Sequence, residues 1–434
     1  MLIGWSGKNI DMLKKYKKIL FVLTLVVIFL FILFYGLLKL RENRMWPFNS
    51  TLSKFFPSSV KYFAYKMTSP NKKLASSFLY NINVGYHSIP DTGAIGGGGS
   101  INSIDKNRMI VTLNNGQSLA FDYVSGKFET INSLEVKKIF HSVRDVFVFD
   151  KSGNKYLAFF GTTDQGKGCK RVSIYLAKLD VPKFGLNFSL GAPKKLWETE
   201  DACDSPVDNN AGGRIVYYAD KFYVSTGFFM GDASALGRKS DFMLMDKNSS
   251  FGKIIEVDWS GYSRIFSSGH RNPQGLFFTK NSKILFSTEH SIRGGDELNL
   301  IKNSNNYGFP CETFGTYYSY DFSFPQKDKK LIGKDPLCLN KRFEPPIFYW
   351  PDKTGISQGV EYAGDEFPAF VGDLLIGSLA GHSLFRIQLG EANNVMFIER
   401  INLQERIRDL NISDSGKIII LTDGGSILVL SSVK

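Results

Sequence analysis

Residues 269–310 read GHRNPQGLFFTKNSKILFSTEHSIRGGDELNLIKNSNNYGFP. Two apolar runs, LFF (276–278) and ILFSTE (284–289), flank the cluster TKNSK (279–283). Asn, Ser and Lys around a reversal between β-prone runs read as strand, turn and strand. The same unit recurs along the chain. MIVTL, NNGQ and SLAFD follow one another over 109–122, and VFVF, DKSGN and KYLAFFG over 146–161. GRIVYY, AD and KFYVSTG occupy 213–227, and LNI, SDSGK and IIILTD occupy 410–423. No helix-period segment follows residue 70. Many short strands at regular spacing imply a sandwich, a barrel or a propeller. SILVLSS (426–432) is expected to close the fold beside an N-terminal strand.

The chain has 434 residues, 43% of them hydrophobic, and 41 glycines, which suits a folded β-rich body and not a disordered one. Its formal charge of +12 invites a nucleic-acid reading. Half of that charge lies in residues 1–44, around one apolar segment, and the rest is spread without a basic block. Nucleic-acid binding is therefore not expected. Ile19 to Leu38 is an uncharged run, ILFVLTLVVIFLFILFYGLL, about 30 Å long as a helix and so matched to the hydrocarbon core of a bilayer. Lys39, Arg41 and Glu42 follow it without a small-residue cleavage site, so an uncleaved signal anchor is favoured over a cleaved signal peptide. Five lysines precede the run and place the N-terminus in the cytoplasm. The expected organisation is a cytoplasmic tail (1–18), a single transmembrane anchor (19–40), a juxtamembrane segment (41–78) and a periplasmic or extracellular body (79–434).

All four cysteines follow the anchor, and none is spaced as a zinc or thiol-redox pair. In an oxidising compartment they are expected to form two disulfides. Four cysteines allow three connectivities. Cys169–Cys203 with Cys311–Cys338 is favoured, because each pair brackets one irregular excursion; buried free thiols are the alternative.

Three short motifs concentrate polar groups where strands end. GHRNPQG (269–275) must be a tight loop, since its proline cannot donate to a ladder, and it presents Arg271, Asn272 and Gln274. EHSIRGGDELN (289–299) is a second loop, with Asp296 and Glu297 beside two glycines. In RIRD (406–409) the arginines alternate with Ile407, so Arg406 and Arg408 share one strand face. Two adjacent cations require an anion, which is either a bound ligand's carboxylate or a nearby Asp409 or Glu405. The run GAIGGGGS (93–100) lacks the Lys-Ser/Thr of a phosphate loop and reads as a flexible turn.

GHRNPQG, EHSIRGGDELNLI, NNYGFP and RIRD, in this order, resemble the glucose/sorbosone dehydrogenase family from about Gly212 onward. The resemblance implies an all-β, six-bladed β-propeller. It also implies oxidation of an aldose-type sugar, with pyrroloquinoline quinone and calcium as cofactors. Arg271, Asn272, Gln274, Arg406 and Arg408 would then hold the quinone. The calcium would sit on the backbone carbonyls of Ser291 and Ile292, which replace the family's usual Gly-Pro, with Asp296 supporting the loop.

Other positions depart from the family's pattern. Its proton-abstracting histidine lies two residues before Gly-Gly-Arg; here Gly212-Gly213-Arg214 is preceded by Asn210, which has no useful acid–base couple. Loss of such a base costs on the order of 10²–10⁴-fold in rate. His141 and Asp208 are the candidate substitutes. The glycine-rich, glutamine-containing loop expected at the second blade reads IFHSVRD (139–145), and Ala380 and Gly381 follow Ser378-Leu379 where some members carry a lysine. Two functions follow. One is a membrane-anchored quinoprotein sugar oxidoreductase. The other is a catalytically silent propeller that binds a carbohydrate or protein ligand.

Overall fold

The computed structural model describes residues 74–90, 98–166, 168–203, 210–228, 244, 246–315, 338 and 341–433. The expected tail, the anchor at 19–40 and nearly all of the juxtamembrane segment lie outside these residues. Among the described residues no helix is long and apolar enough to cross a membrane.

Six antiparallel sheets follow one another in chain order. Their inner strands are Gly99–Ser103, Ser142–Lys151, Gly212–Tyr218, Pro273–Phe278, Ile356–Glu361 and Ile407–Ile412, in blades 1 to 6. Each inner strand packs against the next, and the sixth packs against the first, so the sheets close into a six-bladed propeller. The ring is closed as the sequence implies: Ser426–Ser432 pairs with Asn81–Ser88, from Ile82↔Ser432 to Ser88↔Ser426. Radial repetition leaves exposed only the outer edge of each blade. One further strand, Leu74–Ser76, pairs with Asn81–Asn83 on the outside of blade 6. Leu74–Ser76 thus also belongs to the propeller, because Ala75 is buried in the same core as Ile82 and Val84.

Strand alternation packs the blades together. Ile407, Leu410, Ile418, Ile420, Leu428 and Leu430 of blade 6 meet Leu375 and Leu384 of blade 5 in one apolar cluster. Val143, Val146, Leu157 and Phe159 of blade 2 meet Ile110 and Ala120 of blade 1 in another. Among the described residues, helical structure is confined to short turns such as Leu134–Ile139 and Pro368–Phe370.

Blade 2 differs from the sequence reading. The polar stretch 162–170, which reads as a loop insertion from its composition, lies instead at the far end of a long hairpin, Asn154–Gly166 with Cys169–Asp180. Lys194–Glu198 completes this blade beside Cys169–Asp180, within a segment expected to be an excursion. The disulfides are Cys169–Cys203 and Cys311–Cys338, the sequential pairing.

Candidate active site

The N-terminal ends of the inner strands converge on one face of the ring, and five of the six share a local irregularity. The pairing register slips between Val143 and Asp145, Gly212 and Arg214, Pro273 and Gly275, Ile356 and Gly359, and Ile407 and Asp409. A bulge inserts an extra residue and re-aims its side chain. The bulged positions are Arg144, Gly213, Gln274, Ser357 with Gln358, and Arg408. Blade 1 pairs without a slip.

In blade 4, Gly269 has φ +77°, and a Cβ there would lie 2.0 Å from Asn306 Oδ1, so the loop entry needs glycine. His270 is fully buried. Its Nδ1 meets Glu289 Oε2 at 3.0 Å, its Nε2 meets Ser267 Oγ at 2.8 Å, and its ring stacks on Tyr307. Glu289 also accepts the Arg271 backbone N–H. This buried network fixes the loop that carries the next three residues.

Arg271 lies between Phe228 and Phe309, 4.9 and 6.0 Å from their ring centroids, and Nη1 donates to the carbonyls of His290 (3.0 Å) and Ser291 (2.7 Å). Asn272 Nδ2 donates to Asn210 Oδ1 at 3.2 Å, while its Oδ1 accepts from Gln274 Nε2 at 3.0 Å and from Gly212 N at 3.3 Å. Asn210, Asn272 and Gln274 therefore form one amide cluster between blades 3 and 4. His290 Nε2 meets the Ile356 carbonyl, which requires a proton on Nε2 and leaves the lone pair on Nδ1. Burial lowers the pKa of His290 against the pull of Asp296, with Arg271 and Arg408 lowering it further, so the ring is neutral at pH 7.

Arg406 and Arg408 do lie together, and the anion between them is Asp423, not Asp409 or Glu405. Arg408 Nε and Nη2 meet Asp423 at 2.8 and 3.1 Å, and Arg406 Nη2 meets it at 3.0 Å. The bulge at Arg408 turns Asp409 into the ring, where it accepts the Ile101 N–H at 2.7 Å. Beneath the mouth, Arg214 joins four blades. Its Nη1 meets Asp145 Oδ1 at 3.1 Å and Asp409 Oδ1 at 3.2 Å, and it donates to the carbonyls of Gln274 and Arg408, both at 2.8 Å.

The calcium expectation is not shown by these residues. Asp296 accepts the Ser291 N–H on Oδ1 and those of Thr354 and Gly355 on Oδ2, so it organises the loop. The Ser291 carbonyl faces the Arg271 guanidinium, a cation already in place. The Ile292 side chain is packed in the core. Among the described residues no group of three or more His, Cys, Asp or Glu could hold a metal. The quinone expectation fits better: guanidinium groups and amides on one face are the donor set that carboxylates and quinone oxygens require. Of the candidate substitute bases, His141 is exposed at the start of the blade 2 inner strand, and Asp208 lies outside the described residues. Asp423 and Arg214, which the contacts join to Arg408 and Asp409, were not among the expected site residues.

The fold is thus a closed six-bladed β-propeller whose bulged inner strands gather arginines and amides at one end. The sequence pattern described as Glucose / Sorbosone dehydrogenase matches residues 99–429, and the chain belongs to that family. It is 33% identical over 166 residues to the aldose sugar dehydrogenase YliI of Escherichia coli, covering 38% of this chain and 42% of that protein. It is 25% identical over 303 residues to quinoprotein glucose dehydrogenase B of Acinetobacter calcoaceticus, covering 52% and 63%. The match thus spans less than two thirds of either curated relative. The soluble aldose sugar dehydrogenase of E. coli in its apo-form superposes with TM-score 0.60 at 20% identity, over 81% of this chain and 99% of that one.

Proposed function

We propose that this protein is a membrane-anchored, extracytoplasmic quinoprotein oxidoreductase that oxidises an aldose-type sugar. The observation that carries the reading is the pair Arg406–Arg408, set beside the amides of Asn272 and Gln274 in a chain of this family. Arg406, whose side chain is 39% exposed, is the guanidinium most open to a ligand carboxylate, and Arg408 holds the second position beneath it. Asp423 keeps both arginines aligned before the ligand arrives. Asn272 and Gln274 orient neutral donors and acceptors, and Arg271 braces the 290–296 loop from below. Bound pyrroloquinoline quinone would supply the hydride acceptor.

A second reading is favoured by one contact. At the position where the family's base is expected, Asn210 accepts an amide hydrogen from Asn272 at 3.2 Å, and neither group takes a proton at neutral pH. On that reading the mouth binds a carbohydrate or protein ligand without turnover. Adding quinone, aldoses and a dye acceptor to the full-length chain separates the two. Dye reduction supports the oxidoreductase. Quinone binding without reduction, followed by a rise in rate in Asn210→His, supports the silent site.

A further inference from the structure

Two residues of the mouth hang from one buried side chain. Gln274 of blade 4 and Arg408 of blade 6 are both bulged. Pro273 pairs with Glu289 and Gly275 with Thr288, while Ile407 pairs with Thr422 and Asp409 with Leu421, so the residue between has no partner in either ladder. A buried carbonyl left out of its ladder needs a donor from elsewhere. Both find it in Arg214 of blade 3: Nε donates to the Gln274 carbonyl and Nη2 to the Arg408 carbonyl, each at 2.8 Å. The third nitrogen, Nη1, meets Asp145 and Asp409 at 3.1 and 3.2 Å.

The arrangement crosses the ring. The inner strands pack in chain order, so blade 6 lies three places from blade 3 in either direction. Arg214 bridges these opposite blades, and it is itself fixed. Asp145 also accepts the Ile215 N–H at 3.0 Å, and Asp409 the Ile101 N–H at 2.7 Å, so both carboxylates that hold Nη1 are tied to the backbone. A guanidinium is planar, and its nitrogens donate in fixed directions; a lysine ammonium has a single nitrogen and cannot hold the same acceptors at set angles. The two bulge carbonyls are thus kept at one separation. Their side chains are those that line the mouth. Gln274 Nε2 donates to Asn272 Oδ1 at 3.0 Å in the amide cluster, and Arg408 Nε meets Asp423 at 2.8 Å beside Arg406.

We propose that Arg214 is a positioning residue of the mouth, which sets the separation of Gln274 and Arg408 before a ligand binds. It acts through these two residues and not by touching the ligand. The ligand it serves is one that meets an amide on one side and a guanidinium on the other, as a rigid polycarboxylate does, the quinone among them. The inference rests on Gln274 and Arg408 being ligand-binding residues.

Calorimetric titration of the full-length chain tests this, with pyrroloquinoline quinone as one probe and propane-1,2,3-tricarboxylate as the other. Arg214→Lys keeps the charge between the two aspartates and loses the planar fork, and it is expected to weaken binding on the order of tenfold. A double-mutant cycle separates positioning from a general structural role. In Arg408→Gln the arginine that Arg214 holds is already gone, so adding Arg214→Lys is expected to cost less than about threefold more. Asp145→Asn disturbs the same buried cluster but leaves Asp409 on Nη1 and both carbonyls in place, and it is expected to bind within about threefold of the natural chain. Affinity within about twofold in a folded Arg214→Lys overturns the proposal, as do fully additive losses in the cycle or a loss in Asp145→Asn equal to that in Arg214→Lys. If Arg214→Lys does not fold, Arg214→Met titrated at pH 5, where both buried carboxyls can hold a proton, decides by the same criteria. Tricarboxylate binding with this pattern, without quinone binding, upholds the inference while removing the quinone reading. Binding of neither probe by the natural chain overturns both.

Discussion

Replacing Arg214 by Met tests whether a single buried guanidinium holds the centre of the ring. Arg214 is 3% exposed, faces Asp145 and Asp409 at 3.1 and 3.2 Å, and donates to two carbonyls at 2.8 Å. Removing one partner of such a buried set leaves charge uncompensated and costs about 3–5 kcal/mol. The cost must depend on pH. Burial raises the pKa of Asp145 from 3.8 to about 7, against the pull of Arg214 and with Asp409 adding to the rise; burial likewise raises Asp409. A carboxyl whose folded pKa is raised holds a proton that the unfolded chain has released, so its contribution to stability falls as pH rises between those two values. Without Arg214 both carboxyls shift further up. At pH 5 they are neutral in the variant and the loss is small; at pH 8 their ionisation is forced and the loss reaches the full figure. Urea unfolding of the natural chain and Arg214→Met, followed by tryptophan fluorescence at pH 5 to 8, reads both quantities. A loss below about 1 kcal/mol at pH 8, or one larger at pH 5 than at pH 8, would refute the reasoning.

Three further outcomes are expected. Burial pulls the Asp423 pKa up, but Arg408 and Arg406 outweigh it, so the folded value lies below 3.8. Its stabilisation is therefore present above that value and lost as pH falls through the folded pKa; Asp423→Asn should flatten the acid limb of a pH–stability curve and weaken quinone binding on the order of tenfold by releasing both arginines from their alignment. Calcium titrated up to millimolar levels should leave the melting temperature unchanged, because Arg271 and the amides already satisfy the loop; a saturable upward shift in a scanning experiment would contradict this. Gly269→Ala should destabilise by about 2 kcal/mol or more, since the φ is +77° and the added methyl meets Asn306, and denaturant midpoints would measure it.

Much of the ring was legible because local signals agree with the fold. Turn clusters such as NNGQ and SDSGK sit between the runs that became paired strands, at Arg108–Leu113 with Ser118–Asp122 and at Ile407–Ile412 with Ile418–Thr422. The apolar run SILVLSS pairs with an N-terminal strand, Asn81–Ser88, as expected. The cysteine pairing followed from the excursions that each pair brackets. The bulges were not legible, because a register slip depends on both partner strands and on the neighbouring blade. This is why Asp409, adjacent to Arg408 in sequence, is one of the candidate counter-charges there, although Asp423 holds that role fifteen residues on. Asp296 read as a metal-loop acid because a carboxylate between glycines serves either an ion or amides, and only the positions of Ser291, Thr354 and Gly355 distinguish them. The long hairpin of blade 2 was hidden by its polar tip, TTDQGKG at 162–168, which reads as a loop.

The most direct test of the account is titration of the full-length chain with pyrroloquinoline quinone, followed by dye reduction on addition of aldoses. The account predicts saturable binding at one site per chain, weakened by Arg408→Gln, and sugar-dependent dye reduction. Absence of quinone binding in a folded chain would contradict it and leave a propeller whose mouth serves another ligand.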